Sequence, residues 1–211
     1  MEPVLKGILA GLAYGLLLGP LFFVSLKVTL NEGWRNGVAL IGGAFTSDAL
    51  LVAGGWWSAS RLAAFARQEM FQSGFGLVSG VVLLGFGVSA VWSRKIKATP
   101  NGAEIAPGKR RYSFLQGFLI NMSNPSNWLF WLSLATVVKA EGIAESGHYA
   151  ENFLIATVVV VLATDLAKVF MAHKIGQRLK PGVPEKIVRV AGIILIAVSS
   201  WILFKVAGKV W

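Results

Sequence analysis

Six runs of mostly apolar residues divide this chain, each near the length that crosses a bilayer: Gly7–Leu26, Asn36–Ser60, Met70–Ser93, Tyr112–Val138, Asn152–Ala172 and Ile187–Phe204. A helix needs about 20 such residues to traverse the hydrocarbon core. Only 14% of the residues are charged, where a soluble domain carries about a quarter. The expectation is an all-α integral membrane protein with six transmembrane helices. The first run follows Lys6 and ends at Lys27 without a small-residue cleavage pattern. It reads as a span rather than a cleaved signal. The last run is the shortest and holds Arg189 near its start, where a long side chain can snorkel to the interface.

The chain carries a formal charge of +10, but the charge sits in short segments between apolar runs. Membrane topology and anionic lipid explain it better than nucleic acid does, and no nucleic-acid partner is expected. Loops after the first, third and fifth runs hold Lys27, Arg35, Arg94, Lys95, Lys97, Lys109, Arg110, Arg111, Lys174, Arg178, Lys180, Lys186 and Arg189. The opposite side holds Lys6, Arg61, Arg67, Lys139, Lys205 and Lys209. The positive-inside rule then puts the 94–111 loop in the cytoplasm and both termini outside. The expected location is the inner (plasma) membrane. Within the 94–111 loop, Thr99-Pro100-Asn101-Gly102 and Ala106-Pro107-Gly108 read as a flexible cationic linker.

Two aspartates interrupt the apolar runs. Asp48 is the only charge between Arg35 and Arg61, and Asp165 shares its run only with Lys168. An ionised carboxylate at bilayer depth costs about 2.5–3.5 kcal/mol on insertion scales, so such acids face a partner or a pathway. Each follows a proline in the preceding run, Pro20 before Asp48 and Pro125 before Asp165. The doubling extends further. Gly19-Pro20 answers to Asn124-Pro125, Thr46-Ser47-Asp48 to Ala163-Thr164-Asp165, and the segment 78–84 to 190–196, in the same order. Three spans per half force the halves to be inverted, a pattern of secondary transporters with a midplane site. The domain reading is one transporter domain, 1–211: repeat one 1–93, linker 94–111 and repeat two 112–211.

Proline removes a backbone donor and clashes with the carbonyl four residues earlier. In lipid the freed carbonyl must find a partner or line a cavity. Around Pro125 the chain reads Asn121-Met122-Ser123-Asn124-Pro125-Ser126-Asn127. Such a stretch suits a broken helix whose second half presents its N-terminus to an anion such as a substrate carboxylate. A proline kink with polar packing contacts is the alternative. Asp48 can carry a proton or pair with a substrate ammonium. Asp165 can act as a second acid or form an i,i+3 ion pair with Lys168.

Other features read as structural. Gly11, Gly15 and Gly19 form a four-residue ladder suited to close helix packing, and Gly42, Gly43, Gly76 and Gly80 add small residues. Trp56, Trp57, Trp92 and Trp211 sit at run ends as interface anchors. Trp128 and Trp131, nearer the Pro125 break, read as lipid or core contacts ahead of site walls. His148 and His173 fall in loops without metal-ligand spacing. The chain has no cysteine, which excludes disulfides and thiolate chemistry.

The segments Gly19-Pro20-Leu21-Phe22-Phe23-Val24, Gly33-Trp34-Arg35-Asn36-Gly37, Gly42-Gly43 with Asp48, and Gly117-Phe118-Leu119-Ile120-Asn121-Met122-Ser123-Asn124-Pro125 recur in a known pattern. Across nearly the whole chain it resembles the lysine exporter (LysE/RhtB) family of amino-acid efflux proteins. That resemblance implies that Gly19, Pro20, Asp48, Asn124, Pro125 and Asp165 are functional positions. Ser126 stands where family members often carry a lysine.

The leading expectation is a secondary exporter of amino acids or similar small zwitterions by proton antiport. Its substrate-binding residues would be Gly19, Pro20, Asp48, Asn121, Asn124, Pro125 and Asp165, with Asp48 and Asp165 coupling protons. The alternative is an exporter of a hard inorganic cation, with the two aspartates as oxygen ligands. An enzyme would need a nucleophile–base or metal constellation, and the sequence offers none. The expected partners are the lipid bilayer, a small amino-acid-like substrate and protons. A homo-oligomer is open, and no cofactor or resident metal is expected.

Overall fold

A computed structural model describes residues 2–17, 19–66, 68–92, 107–144, 148–179 and 182–210. Among them are eight α-helices and no strand: α1 (Glu2–Gly15), α2 (Pro20–Glu32), α3 (Trp34–Ala66), α4 (Glu69–Val91), α5 (Pro107–Met122), α6 (Pro125–Ala144), α7 (Tyr149–Gly176) and α8 (Val183–Val210). Trp34–Trp57, Tyr149–Gly176 and Val183–Gly208 are each long and apolar enough to cross a membrane. The pair α1 and α2 also passes as one span, bent by 70°.

Two expected spans are therefore split. The Gly7–Leu26 run ends one helix at Gly15 and begins another at Pro20. The Tyr112–Val138 run divides between Met122 and Pro125. Proline is the physical reason in both cases. Its missing N–H is harmless in the first turn of a helix and disruptive further in, so each proline starts a new helix rather than kinking an old one. α5 also begins before its predicted start. Pro107–Arg111, assigned to the linker by its turn residues, is helical, and the linker from 94 to 106 lies outside the described residues. His173 sits in the last turns of α7, not in a loop, with a nitrogen 2.9 Å from the Gln177 amide. Charged ends of a helix continue past the apolar core, so apolar run length understates helix length.

The α2–α3 turn explains part of the Gly33–Gly37 motif. Gly33 has φ +88°, a left-handed conformation that closes α2, and its N–H bonds the Thr29 carbonyl. At Gly37 a side chain would collide with Thr29 and with Val169 of α7.

Glycines set the packing, as they do where lipid supplies no hydrophobic drive between helices. α1 lies on α7 through Gly7 against Phe153, Gly11 against Thr157 and Val160, and Gly15 against Thr164. The ladder is thus Gly7–Gly11–Gly15. Gly19, expected as its last rung, has open space where a Cβ would stand. α5 lies on α3 through Gly43 against Phe114 and Phe118, and Gly117 against Leu40. α4 and α8 meet through Gly80 against Leu203 and Gly192 against Ala90 and Val91. Val24, Val28, Leu40, Leu83, Ile120, Val169 and Leu195 form the main buried cluster, drawn from six helices. Trp57 and Trp92, predicted as interface anchors, are largely exposed.

Candidate functional site

The second break brings three donors to one carboxylate. Asn121 closes α5, Asn127 lies in the first turn of α6, and Trp131 follows one turn later on the same face. All three point at Asp48 of α3. Its Oδ1 accepts from Asn121 Nδ2 at 2.8 Å, Asn127 Nδ2 at 2.9 Å and Trp131 Nε1 at 2.8 Å. Asp48 is 6% exposed. Its partners are neutral, so they hold the carboxylate without cancelling its charge. Oδ2 receives no hydrogen bond from the described residues, which leaves one oxygen for a proton or a ligand.

The donors are themselves held. Tyr14 of α1 donates to Asn127 Oδ1 at 2.6 Å. That fixes the amide so that its nitrogen faces Asp48, as an acceptor-only carboxylate requires. The Tyr14 ring stacks on Phe130 with centroids 3.8 Å apart. Asn121 Nδ2 also reaches Ser47 Oγ at 2.8 Å and the Ala44 carbonyl at 3.0 Å.

The carbonyls left by the α5–α6 break find side-chain partners, as a dry environment demands. The Met122 carbonyl accepts from Trp128 Nε1 at 2.7 Å. The Ser123 carbonyl accepts from the Ser79 hydroxyl of α4. At the start of α6, Asn124 Oδ1 accepts from the Ser126 N–H at 3.1 Å. Trp128, read from sequence as a lipid or core contact, thus secures the end of α5. Trp131, read the same way, is fully buried and touches the carboxylate.

On α7, Asp165 and Lys168 form the ion pair that the i,i+3 spacing left open, with Nζ 2.8 Å from Oδ1. Both breaks and both aspartates open on one cavity of about 360 Å³. Of the residues expected from sequence, Gly19, Pro20, Asp48, Asn121, Asn124 and Asp165 line it. Pro125 contributes as the residue that starts α6. Tyr14, Asn127, Trp131 and Lys168 complete the site and were outside the expected set. Lys168 was legible as the i,i+3 neighbour of Asp165 and Asn127 as part of the polar stretch around Pro125, with the i,i+4 spacing of Asn127 and Trp131 a further signal. Leu21, Val82, Leu83, Ile120 and Ile202 supply apolar wall.

Tyr14→Phe keeps the ring and removes the donor to Asn127, leaving that oxygen unsatisfied. Such a loss costs about 1–3 kcal/mol. The detergent-purified variant is expected to melt several degrees below the parent, and an unchanged midpoint would show that the bond contributes nothing.

A family model described as LysE type translocator matches residues 12–205. Comparison with curated proteins and with solved structures gives no match.

Proposed function

Since the chain belongs to the LysE type translocator family and is a multi-pass membrane protein, we propose that it exports amino acids or similar small zwitterions in exchange for protons. The observation that carries this reading is Asp48, buried, held by neutral donors alone, and facing a cavity between two helix breaks. One carboxylate oxygen can hold a proton or a substrate ammonium, and not both. That competition is what antiport requires. The substrate carboxylate lies toward the starts of α2 and α6, where the helix dipoles favour negative charge.

Six spans in two inverted repeats give this site its two sides. In the correspondence read from sequence, α1–α2 matches α5–α6, α3 matches α7, and α4 matches α8. Two packing facts support it. α1 rests on α7 as α5 rests on α3, each through glycines. Gly80 meets Leu203, and the equivalent pair, Gly192 and Val91, also meets. Rocking of the α1–α7 and α3–α5 units about the breaks would then expose the cavity to either side in turn.

The cation alternative fits less well. A hard divalent ion is held by about six or more oxygens in most sites. Here Asp48 Oδ1 is occupied by three donors and Asp165 by Lys168. Among the described residues no three His, Cys, Asp or Glu side chains gather to hold a metal.

Uptake into inverted vesicles under an imposed pH gradient, with a panel of amino acids and inorganic cations, tests the proposal. Gradient-driven transport of an amino acid is expected. Transport of a cation alone overturns the reading. Topology is tested separately, because the chain has no native cysteine. A cysteine at position 104 is expected to resist an impermeant thiol reagent in intact cells and to react once the membrane is opened. Labelling in intact cells reverses the orientation.

A further inference from the structure

The exporter reading leaves the class of amino acid open, and the charges facing the cavity narrow it. Among the described residues that line it, the charged ones are Asp48, Asp165 and Lys168. Lys168 Nζ lies 2.8 Å from Asp165 Oδ1, with the side chains 14% and 15% exposed. Those two cancel. Asp48 has neutral partners and keeps its charge when ionised. The starts of α2 and α6 border the cavity through Pro20 and Ser126, and a helix N-terminus acts as about half a positive charge. The ends of α1 and α5 border it as well, through Gly15 and Ser123, with about half a negative charge each, so the helix termini offset one another. The uncancelled charge is that of ionised Asp48, which suits one substrate ammonium. A dibasic amino acid brings one ammonium more than Asp48 can take. Its second ammonium finds one further carboxylate, Asp165, with the Lys168 ammonium already on it.

The remaining wall is mixed, with Ser79, Ser123, Asn124 and Ser126 about the α5–α6 break and an apolar surface beside them. Val82, Leu83, Ile120, Val198, Trp201 and Ile202 offer apolar surface to a substrate side chain. A polar or charged side chain would lose its water there without replacement hydrogen bonds.

Building on the exporter reading, we propose that the cavity selects α-amino acids with a neutral, apolar side chain, and that Lys168 sets this selection. Its ammonium neutralises Asp165 and offers its remaining N–H donors to the substrate carboxylate, while Asp48 takes the substrate ammonium. Lys168 thus recognises one end of the zwitterion and repels a second positive charge.

The experiment uses the full chain in vesicles and measures L-leucine export, with L-lysine and leucinamide as competitors. Leucinamide keeps the ammonium and lacks the carboxylate. In the parent, both competitors are expected to act about tenfold or more weakly than unlabelled L-leucine, the scale of one charge-assisted hydrogen bond. Lys168→Met is expected to raise KM for L-leucine by about tenfold to a hundredfold. It also frees Asp165, so L-lysine becomes the stronger competitor. Lys168→Arg keeps the parent order. The double variant Asp165→Asn/Lys168→Met removes both members of the ion pair, strands neither charge, and so controls for folding. It is expected to show the raised KM without the gain for L-lysine. A parent that prefers L-lysine overturns the selection and leaves the exporter reading standing. Lys168→Met or the double variant with unchanged KM and unchanged order overturns the role of Lys168. A parent that exports no amino acid overturns the exporter reading and this inference with it.

Discussion

Asp48→Asn is expected to abolish proton-driven export while leaving the helices packed as before. Asparagine has nearly the shape of aspartate, and its Oδ1 can still accept from Asn121, Asn127 and Trp131. What changes is the second position, where an NH₂ group replaces the oxygen that takes the proton or the substrate ammonium. An amide does neither at physiological pH. Hydrogen bonds to a charged acceptor contribute about 1.5–3 kcal/mol and neutral ones about 0.5–1.5. The variant therefore loses some stability and remains folded. The measurement is efflux from reconstituted vesicles under an imposed pH gradient, beside a thermal melt of the same preparation. A well-folded variant that exports at the parent rate under that gradient assigns Asp48 a passive role and removes the basis of the antiport mechanism.

Gly117→Ala is expected to be among the most damaging single substitutions in the chain, and Gly19→Ala among the mildest at any glycine of the break regions. A methyl group at position 117 would collide with the backbone carbonyl of Leu40, which cannot rotate away as a side chain tip can. α3 and α5 would have to separate. Overpacking of this kind costs about 1–3 kcal/mol and at times more. Separation also carries Asn121, one turn beyond Gly117, away from Asp48. Position 19 has open space and an ordinary backbone, with φ −85°. The readout is the yield and melting midpoint of the folded protein, with export activity alongside. Equal tolerance of alanine at the two positions would mean that the α3–α5 contact does not hold the site.

Different features of the chain were legible to different depths. The prolines at 20 and 125 announced a disturbance in each half, and the acids at 48 and 165 announced buried charge. Neither could announce the sharpness of the break. A proline inside an apolar run is compatible with a kinked helix and with two helices, and the difference depends on whether neighbours satisfy the freed carbonyls. Here Ser79 and Trp128 do so for Ser123 and Met122. They lie 44 and 6 residues from the carbonyls they serve. Gly19 was read as part of a packing ladder because its spacing continues Gly11 and Gly15. Helical spacing has meaning only while the helix lasts, and α1 ends at Gly15.

By itself the sequence determined the class of molecule: helices of membrane length, acids where apolar residues predominate, a proline disturbance in each half, and a family likeness spread over nearly the whole chain. These follow from residue chemistry and short-range rules, since hydropathy, proline and charge act through the local backbone and its solvent. The company that Asp48 keeps was decided by tertiary structure alone. Asn127, Trp131 and Tyr14 come from α6 and α1, and their convergence depends on how far each helix is rotated and how closely it approaches its neighbour. Glycines at 43 and 117 set that approach for α3 and α5, and those at 7, 11 and 15 set it for α1 and α7. A linear sequence records which residues are small enough to let two helices touch. Which helices touch, and which side chains then meet, is a property of the whole assembly.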